Sequence, residues 1–291
     1  MSSRWSVYFK ERFPLIPNLL VALGITHSAR ILALNSTGVV ASSLTTVLAV
    51  TGGMLFLAQI RLMDEYKDFE KDKIAHPDRP LPRGLFSHTE FGMWIARFNA
   101  AMIVLSVMLG VIVNPVAGVL FAIGTLYLYL MFREFYIGDW LSKRPMLYAI
   151  THQLIIFPMG AFVYSCYQPQ VLNDPQVFWF CLMLIGAFFG FEVGRKLDPS
   201  AHPILKTYLI QFDKPKTVTL LLVLLGISFH AGKHLAVDGL LGALYILVIL
   251  ASSLVWWAPS RFKIVEGMVT LFLLLALWAV PLMSLMRGNP S

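Results

Sequence analysis

The chemistry-bearing residues concentrate between Asp64 and Gly84, in the stretch DEYKDFEKDKIAHPDRPLPRG. Asp64, Glu65, Asp68, Glu70, Asp72 and Asp78 are six of the sixteen acidic residues in the 291-residue chain. Asp64, Asp68 and Asp72 recur every four residues. On a helix each leans about 40° from the last, so the three share a face. Carboxylates so placed repel one another unless a cation lies between them. Mg²⁺ is a hard cation that takes oxygen ligands and commonly adds phosphate oxygens from a substrate. The first expectation is a Mg²⁺–diphosphate site at a membrane surface. Arg79 and Arg83 follow within reach and suit phosphate oxygens. Two plainer readings stand beside it: a solvated helix face in which Lys67, Lys71 and Lys73 pair locally with the acids, or an ordinary loop between spans. Pro77, Pro80 and Pro82 stop any helix and predict a stiff, extended segment after it.

The linked pattern resembles the first aspartate-rich motif of the UbiA superfamily of intramembrane prenyltransferases. That motif reads Asn-Asp-x-x-Asp-x-x-x-Asp, followed by Pro-x-Arg-Pro-x-Pro-x-Gly. Asp68 and Asp72 fall on its second and third aspartates, Glu65 on the first, and Asp64 on the asparagine. Pro77, Arg79, Pro80, Pro82 and Gly84 match the tail. Glu65 keeps the carboxylate; Asp64 adds a charge. The resemblance implies that Glu65, Asp68 and Asp72, helped by Asp64, hold Mg²⁺ against an isoprenyl diphosphate.

Composition supplies the setting. The chain is 57% hydrophobic and 13% charged, against roughly 25% charged in a soluble domain. It reads as a polytopic membrane protein with nine helical spans, near 14–34, 38–62, 91–113, 115–132, 146–167, 176–194, 217–235, 237–258 and 262–286. The net charge of +7 fits the positive-inside rule rather than nucleic-acid binding. With the N-terminus in the cytosol, 19 of the 23 basic residues fall on the cytosolic side, together with the acidic stretch. The N-terminal residues lack a signal-peptide apolar region, so an uncleaved N-terminus is expected. Cys166 and Cys181 sit in or beside apolar runs and read as buried free thiols. No composition break divides residues 1–291, which read as one integral-membrane domain. The resemblance implies an all-α bundle of nine transmembrane helices around a central cavity open to the cytosolic face.

The family carries a second acidic patch after the sixth helix, commonly Asp-x-x-x-Asp. Here the chain reads GFEVGRKLDPSAHP. Glu192 and Asp198 are the remaining metal candidates, at a different spacing, and Arg195 and Lys196 stand where more carboxylates are expected. Glu192 also reads as a local ion pair with Arg195 and Lys196 at i+3 and i+4. On the functional reading both cations serve the diphosphate, one as a planar fork and one as a point charge. The resemblance gives Asp68, Asp72, Arg195 and Lys196 catalytic roles and assigns Arg79, Lys143 and Arg144 to substrate. Lys143 and Arg144 also read as a positive-inside anchor. His152 is a polar wall residue, a base for the acceptor, or a helix–helix hydrogen-bonding group. Asn18 reaches a cavity or packs between helices. The expected partners are an isoprenyl diphosphate donor, a lipophilic or aromatic acceptor and the bilayer. A membrane terpene cyclase, transfer involving a lipid phosphate or sugar diphosphate, and a non-catalytic lipid-binding protein or transporter remain alternatives.

Overall fold

The computed structural model describes residues 3–38 and 41–288. Thirteen α-helices run in order: α1 Arg4–Glu11, α2 Leu15–Thr37, α3 Ser43–Lys67, α4 Phe69–Ala75, α5 His88–Ile112, α6 Pro115–Phe132, α7 Gly138–Ser142, α8 Pro145–Gln153, α9 Ile156–Ser165, α10 Pro175–Arg195, α11 Tyr208–His234, α12 Asp238–Trp257 and α13 Phe262–Met286. The described residues contain no strand. Nine spans among them are long and apolar enough to cross a membrane: α2, α3, α5, α6, α8 with α9, α10, α11, α12 and α13. They match the nine expected spans in order. The second runs further than its apolar core, to Lys67, and carries Asp64 and Glu65 in its last turn. The seventh begins earlier, at Tyr208.

Local sequence sets the helix starts. The Ser42 hydroxyl accepts from Thr45 N at 3.1 Å to open α3. Ser87 does the same for Glu90 N at 3.1 Å to open α5, in a Ser-x-x-Glu arrangement. Asn114 accepts from Ala117 N at 2.9 Å, with Pro115 in the first turn of α6. Asp174 caps α10 ahead of Pro175 in the same way. The fifth span is broken: α8 ends at Gln153 and α9 restarts at Ile156. Pro158 has no N–H to return to Leu154, so the ladder fails there, and Phe157 N closes a tighter turn onto Leu154 O at 3.0 Å. In α11 the backbone breaks at Asp213, at φ 65°, and resumes past Pro215.

The chain forms two compact units. The first holds the described residues up to Thr26 and those of Ala41–Pro169; the second holds those of His27–Val40 and Gln170–Ser291. In the first, Phe56, Phe121 and Phe162 form a cluster with centroids 4.7–6.2 Å apart, Phe121 edge-on to both others. There α5 and α6 cross so closely that a Cβ on Gly118 would lie 2.7 Å from Gly110 backbone. In the second, α10 and α11 meet at Gly186, where a Cβ would lie 2.6 Å from Leu224 O, and the Ser228 hydroxyl donates to Met183 O at 2.9 Å. Small residues that let backbones touch are how apolar helices pack without help from water.

Candidate functional site

The acidic stretch is almost one helix. Asp68 ends α3 and opens α4, with Asp68 N on Asp64 O at 2.9 Å and Asp72 N on Asp68 O at 2.8 Å. After His76 the structure corrects the extended segment expected from the prolines. The chain instead closes a run of turns, with Arg79 N on His76 O, Arg83 N on Arg79 O and Leu85 N on Pro80 O at 2.9–3.1 Å. Proline removes its own donor but keeps its carbonyl, so the intervening N–H groups still find acceptors. Gly84, at φ 82°, turns the chain into α5.

The carboxylates of this stretch part into two sets. Asp64 is exposed and Asp68 half-exposed, one turn apart. Lys71 lies 3.2 Å from Asp68 Oδ1. Tyr148 of α8 is within electrostatic reach of both aspartates. Lys67 Nζ donates to the Tyr148 hydroxyl at 3.3 Å and lies 3.2 Å from Glu134 Oε1, to which Tyr148 also donates at 3.3 Å. Glu134, Phe135 and Tyr136 all take positive φ, at 49°, 53° and 59°. This left-handed turn, uncommon for side-chain-bearing residues, carries Glu134 to Lys67.

Glu65 and Asp72 are buried instead, at 3% exposure each. Arg12 Nε donates to Glu65 Oε1 at 2.6 Å, and Arg61 Nε lies 3.0 Å from the same oxygen. Tyr8 of α1 packs beside this cluster. Its burial, reinforced by the Glu65 charge, pushes the phenol above its usual range. Asp72 accepts from Arg79 Nη1 on both oxygens at 2.7 Å.

This partition tests whether the residues fit Mg²⁺. Glu65 and Asp72 are committed to guanidinium groups. Asp64 and Asp68 are accessible, and Mg²⁺ is ordinarily bound by one or two carboxylates plus substrate phosphates and water. Among the described residues no group of three or more His, Cys, Asp and Glu could hold a metal ion, so an all-protein cage is not what fits. A two-carboxylate site that a phosphate completes does fit.

The other sequence-derived candidates are placed as follows. His152 ends α8 at the break in the fifth span. Its Nδ1 meets Tyr148 O at 2.8 Å and its ring stacks on Tyr148 at 4.0 Å. A carbonyl only accepts, so Nδ1 carries the proton and Nε2 the lone pair; Nε2 is buried with no hydrogen-bond partner among the described residues. Lys143 is exposed, and Arg144 donates to Trp140 O at 3.0 Å while lying over its ring. The Asn18 amide donates to Pro14 O, just ahead of its own helix, at 2.8 Å. In the second unit Glu192 is bound to Arg195 at 3.1 Å and to Lys196. Asp198 accepts from Ser200 N at 2.8 Å and from its hydroxyl at 2.6 Å, and the hydroxyl bond holds its carboxyl below the usual range. Glu192 thus has cations as its partners and Asp198 a turn. Cys166 and Cys181 are both buried.

Sequence reasoning missed Arg12, Tyr8, Glu134 and Tyr148. Only Tyr148 left a local signal, at i−4 from His152.

A family model described as the UbiA prenyltransferase family matches residues 21–283. Among solved structures, the chain is similar to a digeranylgeranylglyceryl phosphate synthase in membranes. Identity is 18%, the TM-score is 0.61, and the match covers 96% of this chain and 100% of that one. At that identity the likeness is one of fold. A comparison with curated proteins gave no match.

Proposed function

The chain belongs to the UbiA prenyltransferase family, and from that premise we propose that it transfers a prenyl group from an isoprenyl diphosphate to a lipophilic or aromatic acceptor, with Mg²⁺ as cofactor. Family and helix pattern make it an integral, multi-pass membrane protein of the intramembrane prenyltransferase class. The finer reading rests on one observation. Asp64 and Asp68 stand accessible, one turn apart, at the end of a span, while Glu65 and Asp72 are tied to arginines.

In this reading Asp64 and Asp68 hold the ion. When bound, Mg²⁺ supplies charge stabilisation to the leaving diphosphate. Lys67, held in place by Glu134 and Tyr148, adds a fixed positive charge beside the aspartates, and the exposed Lys143 adds another. Cationic groups aimed at developing negative charge in a site poor in water are a strong electrostatic lever. The allylic C–O bond breaks and diphosphate leaves with the electron pair. The acceptor forms the new bond to the allylic carbon, and its proton passes to His152 Nε2, the ring nitrogen left with a lone pair. Similarity to a synthase acting in membranes supports lipid-borne substrates. The basic-residue distribution supports a cytosolic N-terminus and a cytosolic acidic stretch.

The test is diphosphate release by the purified protein in nanodiscs, given geranyl, farnesyl or geranylgeranyl diphosphate with Mg²⁺ or EDTA. Release is expected only with Mg²⁺, and Asp68→Asn should lose it by at least about 10²-fold while retaining the wild-type melting profile. No release from any donor, with or without phenolic acceptors, would sink the reading. Product formed without an added acceptor would turn it into a cyclase.

A further inference from the structure

Glu65 and Asp72 each hold an arginine, and both arginines open onto one cavity. The cavity is about 290 Å³ and is walled by Glu11, Arg12 and the turn from Ala75 to Pro80. That is near the lower end of small-ligand sites, roughly 300–1,000 Å³. Arg12 spends Nε on Glu65, and Arg79 spends Nη1 on Asp72. Both Nη groups of Arg12, and Nε and Nη2 of Arg79, donate to no protein acceptor among the described residues. Of the two acids on the wall, Glu11 is already neutralised by a bidentate pair with Arg83 at 3.0 Å. Asp78 is exposed, and Arg83 holds its carbonyl at 2.8 Å.

His76 lines the same cavity and feels the charge of both arginines. Loss of hydration and then the charges of Arg79 and Arg12 press its pKa below the usual value, outweighing Asp72. Two guanidinium groups therefore converge on one small space from different elements, the end of α1 and the turn after α4. One carboxylate satisfies a single guanidinium fork. Donors arriving from two directions suit a tetrahedral oxyanion with several acceptor oxygens. On its Arg12 side the cavity is turned away from the Asp64–Asp68 face, since Glu65 is about 100° around α3 from Asp64 and is covered by α1; on its Arg79 side it lies at Asp72, one turn beyond Asp68.

We propose that this cavity is a second, metal-independent phosphate site, in which Arg12 and Arg79 clamp a phosphate group and Glu65 and Asp72 serve to aim them. The phosphate belongs either to a lipid headgroup, because the cavity lies just beyond the end of the α3 span, or to free phosphate. The site goes beyond prenyl transfer and needs neither Mg²⁺ nor a prenyl donor.

The experiment is calorimetric titration of the full chain in uncharged detergent with EDTA. Inorganic phosphate is titrated in one arm and a short-chain phosphatidic acid in the other. Saturable binding near one per chain is expected in at least one arm, and the arm that binds identifies the source. Arg12→Lys and Arg79→Lys keep a charge on Glu65 and Asp72, so the fold persists, but they lose the fork. Each should weaken binding by about tenfold or more, about 1.4 kcal/mol. Asp68→Asn should leave binding unchanged. Absence of binding in both arms overturns the site. So does binding that requires Mg²⁺, that Asp68→Asn abolishes, or that neither lysine variant weakens. Failure of prenyl transfer is read independently, from Mg²⁺-dependent diphosphate release.

Discussion

Arg12 Nε lies 2.6 Å from Glu65 Oε1, joining residues 53 positions apart. The pair fastens the short N-terminal helix α1 across the end of α3. Arg4 with Glu90 at 3.1 Å and Glu11 with Arg83 at 3.0 Å fasten the same helix at exposed positions, where ion pairs contribute little. Trp5, packed on Phe86 and Trp94 at 4.7 and 4.9 Å, adds an apolar contact. The buried pair is therefore the strongest polar link between α1 and the acidic stretch.

Removing Glu65 should expose that dependence. Glu65→Ala leaves Arg12 and Arg61 facing each other without a counter-charge. Breaking a buried pair from one side costs about 3 kcal/mol or more. Denaturant titration in detergent should show a loss of that size, and amide exchange over residues 4–11 should quicken. An unchanged exchange pattern would mean that the aromatic contacts and the exposed ion pairs hold α1 without the buried pair.

His152→Phe keeps a ring to stack on Tyr148 but removes Nε2. Prenyl transfer to the acceptor should drop by about 10²–10⁴-fold, the usual range for a lost general base. Acceptor-independent release of diphosphate should be untouched. Equal loss of both activities would instead mark His152 as part of the wall.

Gly186→Ala should destabilise the second unit. The new methyl would meet Leu224 O and Ser228 N at 2.6 Å, both backbone atoms that cannot rotate away. Overpacking of this kind costs about 1–3 kcal/mol, read as a lower melting temperature in detergent. Gly239→Ala, which meets nothing within 4 Å, is the control and should melt like the wild type.

Acidification should weaken the fold around the cavity. His76 has its folded pKa below the unfolded value of 6.5, first through lost hydration and then through Arg79 and Arg12. Near and below pH 6.5 the unfolded chain thus binds more protons, so stability is full above that pH and falls as pH drops through the folded pKa. Melting curves between pH 7.5 and 5 should show the decline, and His76→Gln should flatten it. A decline of equal slope in the variant would assign it to other groups.

Much of the architecture is local and could be read directly. Apolar runs of spanning length predicted nine spans, in the order found among the described residues, because a chain in lipid must satisfy its own backbone and only length and hydropathy decide where it does so. The pairing of Glu192 with Arg195 and Lys196 at i+3 and i+4 likewise follows from helical spacing alone. The proline-rich tail misled, because proline fixes its own φ and leaves open whether neighbouring amides close turns.

The amino-acid sequence by itself determined that carboxylates would crowd the end of the second span, and a four-residue spacing put Asp64, Asp68 and Asp72 on one side. Only the tertiary structure decided which stay accessible. Neighbouring positions on a helix differ by about 100°, and a carboxylate's role depends on what covers its side. α1 covers Glu65 with Arg12, and the turn after α4 returns Arg79 to Asp72. Asp64 and Asp68 remain accessible beside Lys67, with Lys71 paired to Asp68. Those partners come from 7 to 53 residues away, and no local periodicity encodes a contact that exists only once the helices have packed.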